Sequence, residues 1–188
     1  MLKKMLGAAV VLALAGALPA HATTVSIAPD STWHAFDVSD VLSANQDLGW
    51  FDINSDTFEP LQFTIDVAAG QTIMLTVTDA GFAGDQFQVF DNGTPLGLTS
   101  SVASTSTSVG LDFDAALASS GYSHGFFFLG AGSHTITGLL AASSTEALNS
   151  TTGALAASPV PLPASALLLF SGGGLMSLFR RRRKTAAA

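Results

Sequence analysis

Ser123 is the residue of this sequence whose surroundings most closely match a catalytic pattern. It stands in Gly121-Tyr122-Ser123-His124-Gly125, which fits the Gly-x-Ser-x-Gly nucleophile elbow of serine hydrolases. That elbow needs a strand before the serine and a helix after it, whereas the run from Phe126 to Leu129 is typical of a strand. A serine hydrolase is therefore one hypothesis, and a glycine-rich turn into a strand is the interpretation that the context favours.

Carboxylates are the other side chains able to do chemistry, and they suggest a calcium site. Oxygen ligands suit a hard cation, and carboxylates without basic neighbours repel one another unless a cation binds. Asp52-Ile53-Asn54-Ser55-Asp56 has the spacing of half an EF-hand loop, but Thr57 and Phe63 replace its glycine and glutamate, which excludes that loop. A looser calcium site stays a hypothesis, and solvated acidic loops are the alternative. The candidate ligands are Asp52, Asn54, Asp56, Asp79, Asp85 and Asp91.

The remaining candidates are aromatic side chains that could stack on sugars. Trp33, Trp50 and Tyr122 would suit a carbohydrate-binding module, or they would fill the core of a folded domain. The chain has no cysteine, which excludes a disulfide framework and thiol catalysis. The histidines lack the spacing of metal ligands, so the sequence predicts no histidine metal site.

Charge is distributed very unevenly along the chain. The net charge is −7, from 7 bases and 14 acids. All of the bases lie at residues 3–4 and 180–184, and all of the acids lie between Asp30 and Glu146. Because the acidic body has no lysine or arginine to meet phosphates, the sequence excludes nucleic acid as a partner.

The elements that must position these side chains are strands. Apolar and polar residues alternate with a period of two, and Asp91-Asn92-Gly93-Thr94 is a hairpin signal. Roughly eight to ten short strands predict an all-β antiparallel β-sandwich, jelly-roll or Ig-like, over residues 23–140. Residues 141–159, rich in Ala, Ser and Thr, are a last strand with a linker or wholly a linker. The predicted strands cover 61–67, 73–78, 86–90, 109–114, a central strand at 126–129, and 133–137.

The N-terminal segment, residues 1–22, has the three parts of a secretory signal peptide. Lys3 and Lys4 precede an apolar run over residues 6–18, and small residues follow at the cleavage site. The alternative is an uncleaved anchor. Ala20 and Ala22 are the small residues of an Ala-His-Ala cleavage site, and cleavage after Ala22 would leave a mature chain that begins at Thr23.

The C-terminal segment also has three parts. A proline-rich element comes first, residues 164–179 follow without a charge, and a basic cluster closes the segment. As a helix, residues 164–179 would be about 24 Å long, so they predict one short transmembrane helix whose arginines stay in the cytoplasm. The proline-rich element is Val160, Pro161, Leu162 and Pro163, and the basic cluster is Arg180, Arg181, Arg182, Arg183 and Lys184.

This order of parts, over residues 160–184, resembles the PEP-CTERM sorting signal of Gram-negative bacteria, in its Val-Pro-Leu-Pro variant. The resemblance implies cleavage near the proline-rich element by an exosortase, and export to the cell surface or extracellular matrix. Residues 77–93 and 123–136 resemble the bodies of secreted proteins that carry this tail, which are β-sandwiches without an assigned activity. The alternative for the tail is a plain C-terminal membrane anchor.

The sequence as a whole predicts an exported, non-enzymatic β-sandwich with a structural or interaction role in an exopolysaccharide or biofilm matrix. A carbohydrate-binding module is the second hypothesis. The expected partners are signal peptidase and an exosortase for processing, the inner membrane through the C-terminal helix, and an exopolysaccharide. No cofactor is predicted apart from the calcium hypothesis.

Overall fold

The structure is a computed structural model that describes residues 22–39, 49–52, 59–144 and 150–160. The predicted signal peptide up to residue 21, Asn54, Asp56 and the sorting signal from Pro161 onwards lie outside the described residues. Within them, the elements in chain order are β1 (Thr23–Ser26), β2 (His34–Val38), β3 (Leu61–Val67), β4 (Ile73–Asp79), β5 (Gln86–Asp91), β6 (Thr94–Leu98), α1 (Phe113–Ala118), β7 (His124–Leu129), β8 (Gly132–Ala142) and β9 (Thr151–Pro159).

The strands form two sheets that face each other. One sheet has the order β1-β3-β8-β5-β6, and the other has the order β2-β9-β4-β7. All strand pairs are antiparallel except β1 with β3, which run parallel. The all-β sandwich predicted from the sequence is therefore confirmed.

Alternation of apolar and polar residues places one face of each strand in the core. In β3, Phe63, Ile65 and Val67 are buried while the residues between them are more exposed. The β5–β6 hairpin turns at Asn92 and Gly93, whose φ angles are 49° and 77°. Both positions need positive φ in this type of turn, which is why Asn-Gly predicts the hairpin correctly.

An aromatic cluster fills the space between the sheets. The rings of Phe36 and Trp50 stack with centroids 3.9 Å apart, and Phe87 meets Phe36 edge-on at 5.2 Å. Two strand glycines make room for these rings: a Cβ on Gly138 would lie 2.1 Å from Trp50, and one on Gly153 would lie 2.5 Å from Phe36. Neither glycine has a positive φ, so packing rather than backbone conformation requires them.

The C-terminal part of the sandwich extends further than residue 140. β9 pairs with β2 on one side and with β4 on the other, so it is an inner strand of its sheet. Most of its residues are buried. Of the two alternatives for residues 141–159, the structure has the last strand, and the folded domain reaches Pro159.

Two strand predictions are corrected by the structure. Residues 109–114 do not form a strand: Gly110 has a φ of 59°, and the Asp112 side chain accepts a hydrogen bond from the Ala115 N–H at 3.0 Å, which caps α1. The apolar run 126–129 is not central, because β7 lies at the edge of its sheet. Its alternate phenylalanines therefore face outwards instead of into a second layer.

None of the described helices is long and apolar enough to cross a membrane. The predicted membrane segment, residues 164–179, lies outside the described residues.

Candidate functional site

Asp79 and Asp85, here called the carboxylate pair, lie at the two ends of the loop that joins β4 to β5. Both side chains are fully buried. The loop is held by its backbone, since the Ala80 N–H donates to the Thr152 carbonyl at 3.0 Å. Gly84 has a φ of +132°, and a Cβ there would lie 2.7 Å from the Ser104 Cα. Only glycine fits this position, so the loop is fixed tightly against its neighbour.

The two oxygens of Asp79 differ in their contacts. Oδ2 accepts hydrogen bonds from the N–H groups of Gly84 at 3.1 Å and Asp85 at 3.2 Å. Oδ1 is buried and has no hydrogen-bond partner. A buried polar atom in this state is unusual in a native fold and calls for a physical explanation.

Asp85 is held by groups that come from much later in the chain. Its Oδ1 accepts from the Ser144 N–H at 2.6 Å, and its Oδ2 accepts from the Thr151 hydroxyl. The Ser144 hydroxyl donates to the Ala83 carbonyl at 3.1 Å and lies 3.0 Å from the Ser104 hydroxyl. The Ala83 carbonyl and the hydroxyls of Ser104, Ser144 and Thr151 therefore lie on the Asp85 side of the carboxylate pair.

Ionisation of both carboxylates of the pair is electrostatically unfavourable. Burial, followed by the charge of Asp85, raises the pKa of Asp79 to about 8. The N–H groups of Gly84, Asp85 and Ala80 only partly offset these effects. Burial also raises the pKa of Tyr122, and the charge of Asp79 adds to that shift. In the absence of a cation, Asp79 therefore carries a proton at neutral pH.

The structure does not bring all the predicted calcium ligands together. Asp91 ends β5, and six residues of extended chain, about 20 Å, separate it from Asp85. Its Oδ2 lies 2.8 Å from His134 Nδ1. Asp52 lies near Asp37 instead, where its charge adds to the effect of burial in raising the pKa of Asp37. Within the described ranges, no three acidic or histidine side chains converge on a point that could hold a metal.

The geometry around Ser123 differs from that of a nucleophile elbow. Its side chain is fully buried, and its hydroxyl donates to the Ser100 carbonyl and lies 2.6 Å from Thr99 Oγ1. The Nδ1 of His124 lies 3.1 Å from the Tyr122 carbonyl and so is engaged elsewhere. A strand, β7, follows the serine where the elbow requires a helix. Ser123 thus serves to fasten β7 to residues 99–100.

The aromatic residues proposed as sugar platforms are mostly internal. Trp50 and Tyr122 are buried, and the Trp33 Nε1–H donates to Asp114 Oδ1 at 2.9 Å. Other rings face solvent: Phe126 is 49% exposed and Phe128 is 65% exposed. Successive side chains of a strand point to opposite faces, so the three consecutive phenylalanines already indicate that Phe126 and Phe128 share one face.

The neutral oxygens around the carboxylate pair were not found by sequence reasoning. Ser104, Ser144 and Thr151 lie between about 20 and 70 residues from the loop in the chain, and nothing in their local sequence marks them. Only the fold brings them together.

Comparison with known proteins gives little beyond architecture. No family profile matches the chain, and no curated protein matches it. Among solved structures, the chain is similar to the pre-peptidase C-terminal domain of a collagenase from Bacillus anthracis. The TM-score is 0.39 at 9% sequence identity, covering 76% of this chain and 99% of that domain. No residue role is transferred from so distant a likeness.

Proposed function

We propose that this protein is an exported β-sandwich with a structural or interaction role at the cell surface or in the extracellular matrix. In this proposal signal peptidase removes residues 1–22, and an exosortase processes the PEP-CTERM-like signal. Before that processing, residues 164–179 hold the chain transiently in the inner membrane. An exopolysaccharide is the expected environment of the mature domain.

The position of the terminal strands is the observation that carries this proposal. β1 begins at Thr23, the first residue after the predicted signal-peptide cleavage site. β9 ends at Pro159, the residue before Val160 of the proline-rich element, and the Val160 N–H donates to the Thr72 carbonyl at 3.0 Å. Removal of both predicted signals would therefore leave all nine described strands intact, which is what processing of a secreted domain requires.

The experiment is the intact mass of the protein isolated from its native host, with and without a working exosortase. The expected mass lacks residues 1–22 in both strains and lacks the C-terminal signal only where the exosortase works. A mass that runs from Thr23 to Ala188 in both strains would contradict sorting and would make the protein a permanently anchored one. Mass in excess of the peptide would reveal an attached glycan or lipid.

The alternative of a serine hydrolase has a separate test. Because the Ser123 hydroxyl is buried and bonded to Ser100, a serine-reactive fluorophosphonate should not label the folded protein. Ser123→Ala should lower the free energy of unfolding by about 1–3 kcal/mol, since Thr99 and Ser100 lose a buried partner. Labelling that Ser123→Ala abolishes would contradict the non-enzymatic role.

A carbohydrate-binding role remains the second candidate, and the exposed rings of β7 favour it. Phe126 and Phe128 point to the same side of an edge strand, and the His124 ring meets Phe126 at 5.6 Å. Aromatic faces of this kind stack on the apolar faces of sugars. Retention on immobilised host exopolysaccharide should then be lost in Phe126→Ala/Phe128→Ala. Equal retention of that variant, or no retention of the wild type, would exclude this surface as a sugar site.

A further inference from the structure

One oxygen atom of the carboxylate pair lacks a hydrogen-bond partner. Asp79 Oδ1 is buried without a hydrogen-bond partner, while Oδ2 already accepts two N–H groups. If the carboxyl is protonated, the proton on Oδ1 has no acceptor, and if it is ionised, the charge has no partner at that atom. Neither protonation state satisfies Oδ1, so the site is incomplete without a further group.

The described residues include no lysine or arginine that could complete it. Every lysine and arginine of the chain lies at residues 3–4 or 180–184, outside the described residues. Asp79 Oδ2 accepts from the N–H groups of Gly84 and Asp85, and the Asp85 carboxylate accepts from the Ser144 N–H and the Thr151 hydroxyl. Two buried carboxylates repel, and a bound cation would remove the repulsion and satisfy the open oxygen together.

We propose that the carboxylate pair binds a calcium ion, with Asp79 Oδ1 and the Asp85 carboxylate as its charged ligands. Calcium takes about six to eight oxygen ligands in flexible geometry, including hydroxyls and backbone carbonyls, whereas magnesium demands a near-ideal octahedron. The Ala83 carbonyl and the hydroxyls of Ser104 and Ser144 lie close to the pair and are linked by hydrogen bonds of 3.0–3.1 Å. The Thr151 hydroxyl is the fourth neutral oxygen, and it donates to Asp85 Oδ2.

The ion would join the two sheets at one end of the sandwich. Asp79 ends β4 and Thr151 begins β9, and both strands belong to the four-stranded sheet. Asp85 directly precedes β5, and Ser144 follows β8, in the five-stranded sheet. The role of the ion is therefore structural, and it does not depend on how the protein is exported.

The test is thermal unfolding of the full-length chain, purified in a mild non-ionic detergent and freed of metal with a chelator. Calcium at about a hundredfold excess over its Kd should raise the Tm by about 5–10 °C, and sodium chloride at equal ionic strength should not. Asp79→Asn and Asp85→Asn should each lose this calcium-specific shift. Asp91→Asn, at the far end of β5, is the matched control and should keep it.

Calorimetric titration with calcium chloride keeps the proposal testable if Asp85→Asn fails to fold. The wild type should bind one calcium ion per chain, and Asp79→Asn should bind it at least tenfold more weakly. Equal Tm shifts in calcium and sodium would overturn the proposal, as they would show only screening of the acidic surface. A full calcium shift in Asp79→Asn, or an equal shift with magnesium, would overturn it as well.

Discussion

Replacing Asp79 by asparagine should change how the stability of the metal-free protein depends on pH. Burial and Asp85 raise the pKa of Asp79 from 3.8 to about 8 in the folded state. Between these values the unfolded chain loses the proton while the folded chain keeps it, so rising pH favours unfolding. The stabilising contribution is complete below pH 3.8, decreases through that window, and is fully lost above the folded pKa.

The magnitude follows from the size of the window. Each pH unit within it costs up to about 1.4 kcal/mol, so from about pH 5 to pH 8 the wild type should lose about 4 kcal/mol of unfolding free energy through this group. Asparagine does not titrate, and its oxygen still accepts from the N–H groups of Gly84 and Asp85. The free energy of unfolding of Asp79→Asn should therefore rise relative to that of the wild type as pH rises.

The assay is urea unfolding of the full-length chain in chelator, from about pH 5 to pH 9, followed by fluorescence of the buried Trp50. Asp37, whose pKa burial also raises, contributes equally to both proteins and cancels in the difference. Asp85→Asn should narrow the pH range over which stability falls, because it removes the second cause of the Asp79 shift. Parallel wild-type and Asp79→Asn profiles across this range would refute the reasoning.

Two further predictions concern the core and the histidine on β8. Gly138→Ala should lower the Tm and reduce the free energy of unfolding in urea by about 3 kcal/mol or more, because its Cβ would lie 2.1 Å from Trp50. Gly130→Ala, with open space around the new Cβ, is the matched control and should change the free energy of unfolding little. Burial lowers the pKa of His134, but its hydrogen bonds to Asp91 and the Gly130 carbonyl raise this pKa overall above 6.5. The contribution of protonated His134 to folding stability is therefore complete below pH 6.5 and is lost as pH rises through the folded pKa. NMR titration should place the His134 pKa lower in Asp91→Asn, and an unchanged value would contradict the pairing.

The sequence by itself determined the class of the fold and most of its strands. The period-two pattern of β3 and the Asn92-Gly93 turn are local properties, so they could be identified without tertiary information. The strand predicted at 109–114 failed because the capping hydrogen bond of Asp112 outweighs a weak alternation. The signal for the helix cap, an aspartate three residues before Ala115, is also local, so it was available in the sequence.

Burial and sheet order were decided only by the tertiary structure. The apolar run Phe126-Phe127-Phe128 gives no sign of whether its strand is central or at an edge, because that depends on which strands pair. Likewise, Trp50 is internal because Gly138, on a distant strand, leaves space for its ring.

The candidate site divides in the same way. The sequence marked Asp79 and Asp85 as acids in a body without lysine or arginine, and charge composition alone was enough for that. Their separation from Asp91 follows from the length of β5. The Ser144 N–H and the Thr151 hydroxyl reach Asp85 only because β8 and β9, in opposite sheets, bring both residues to the loop between β4 and β5. Contacts over 59 and 66 residues of chain depend on how the sheets pack, which no local pattern encodes.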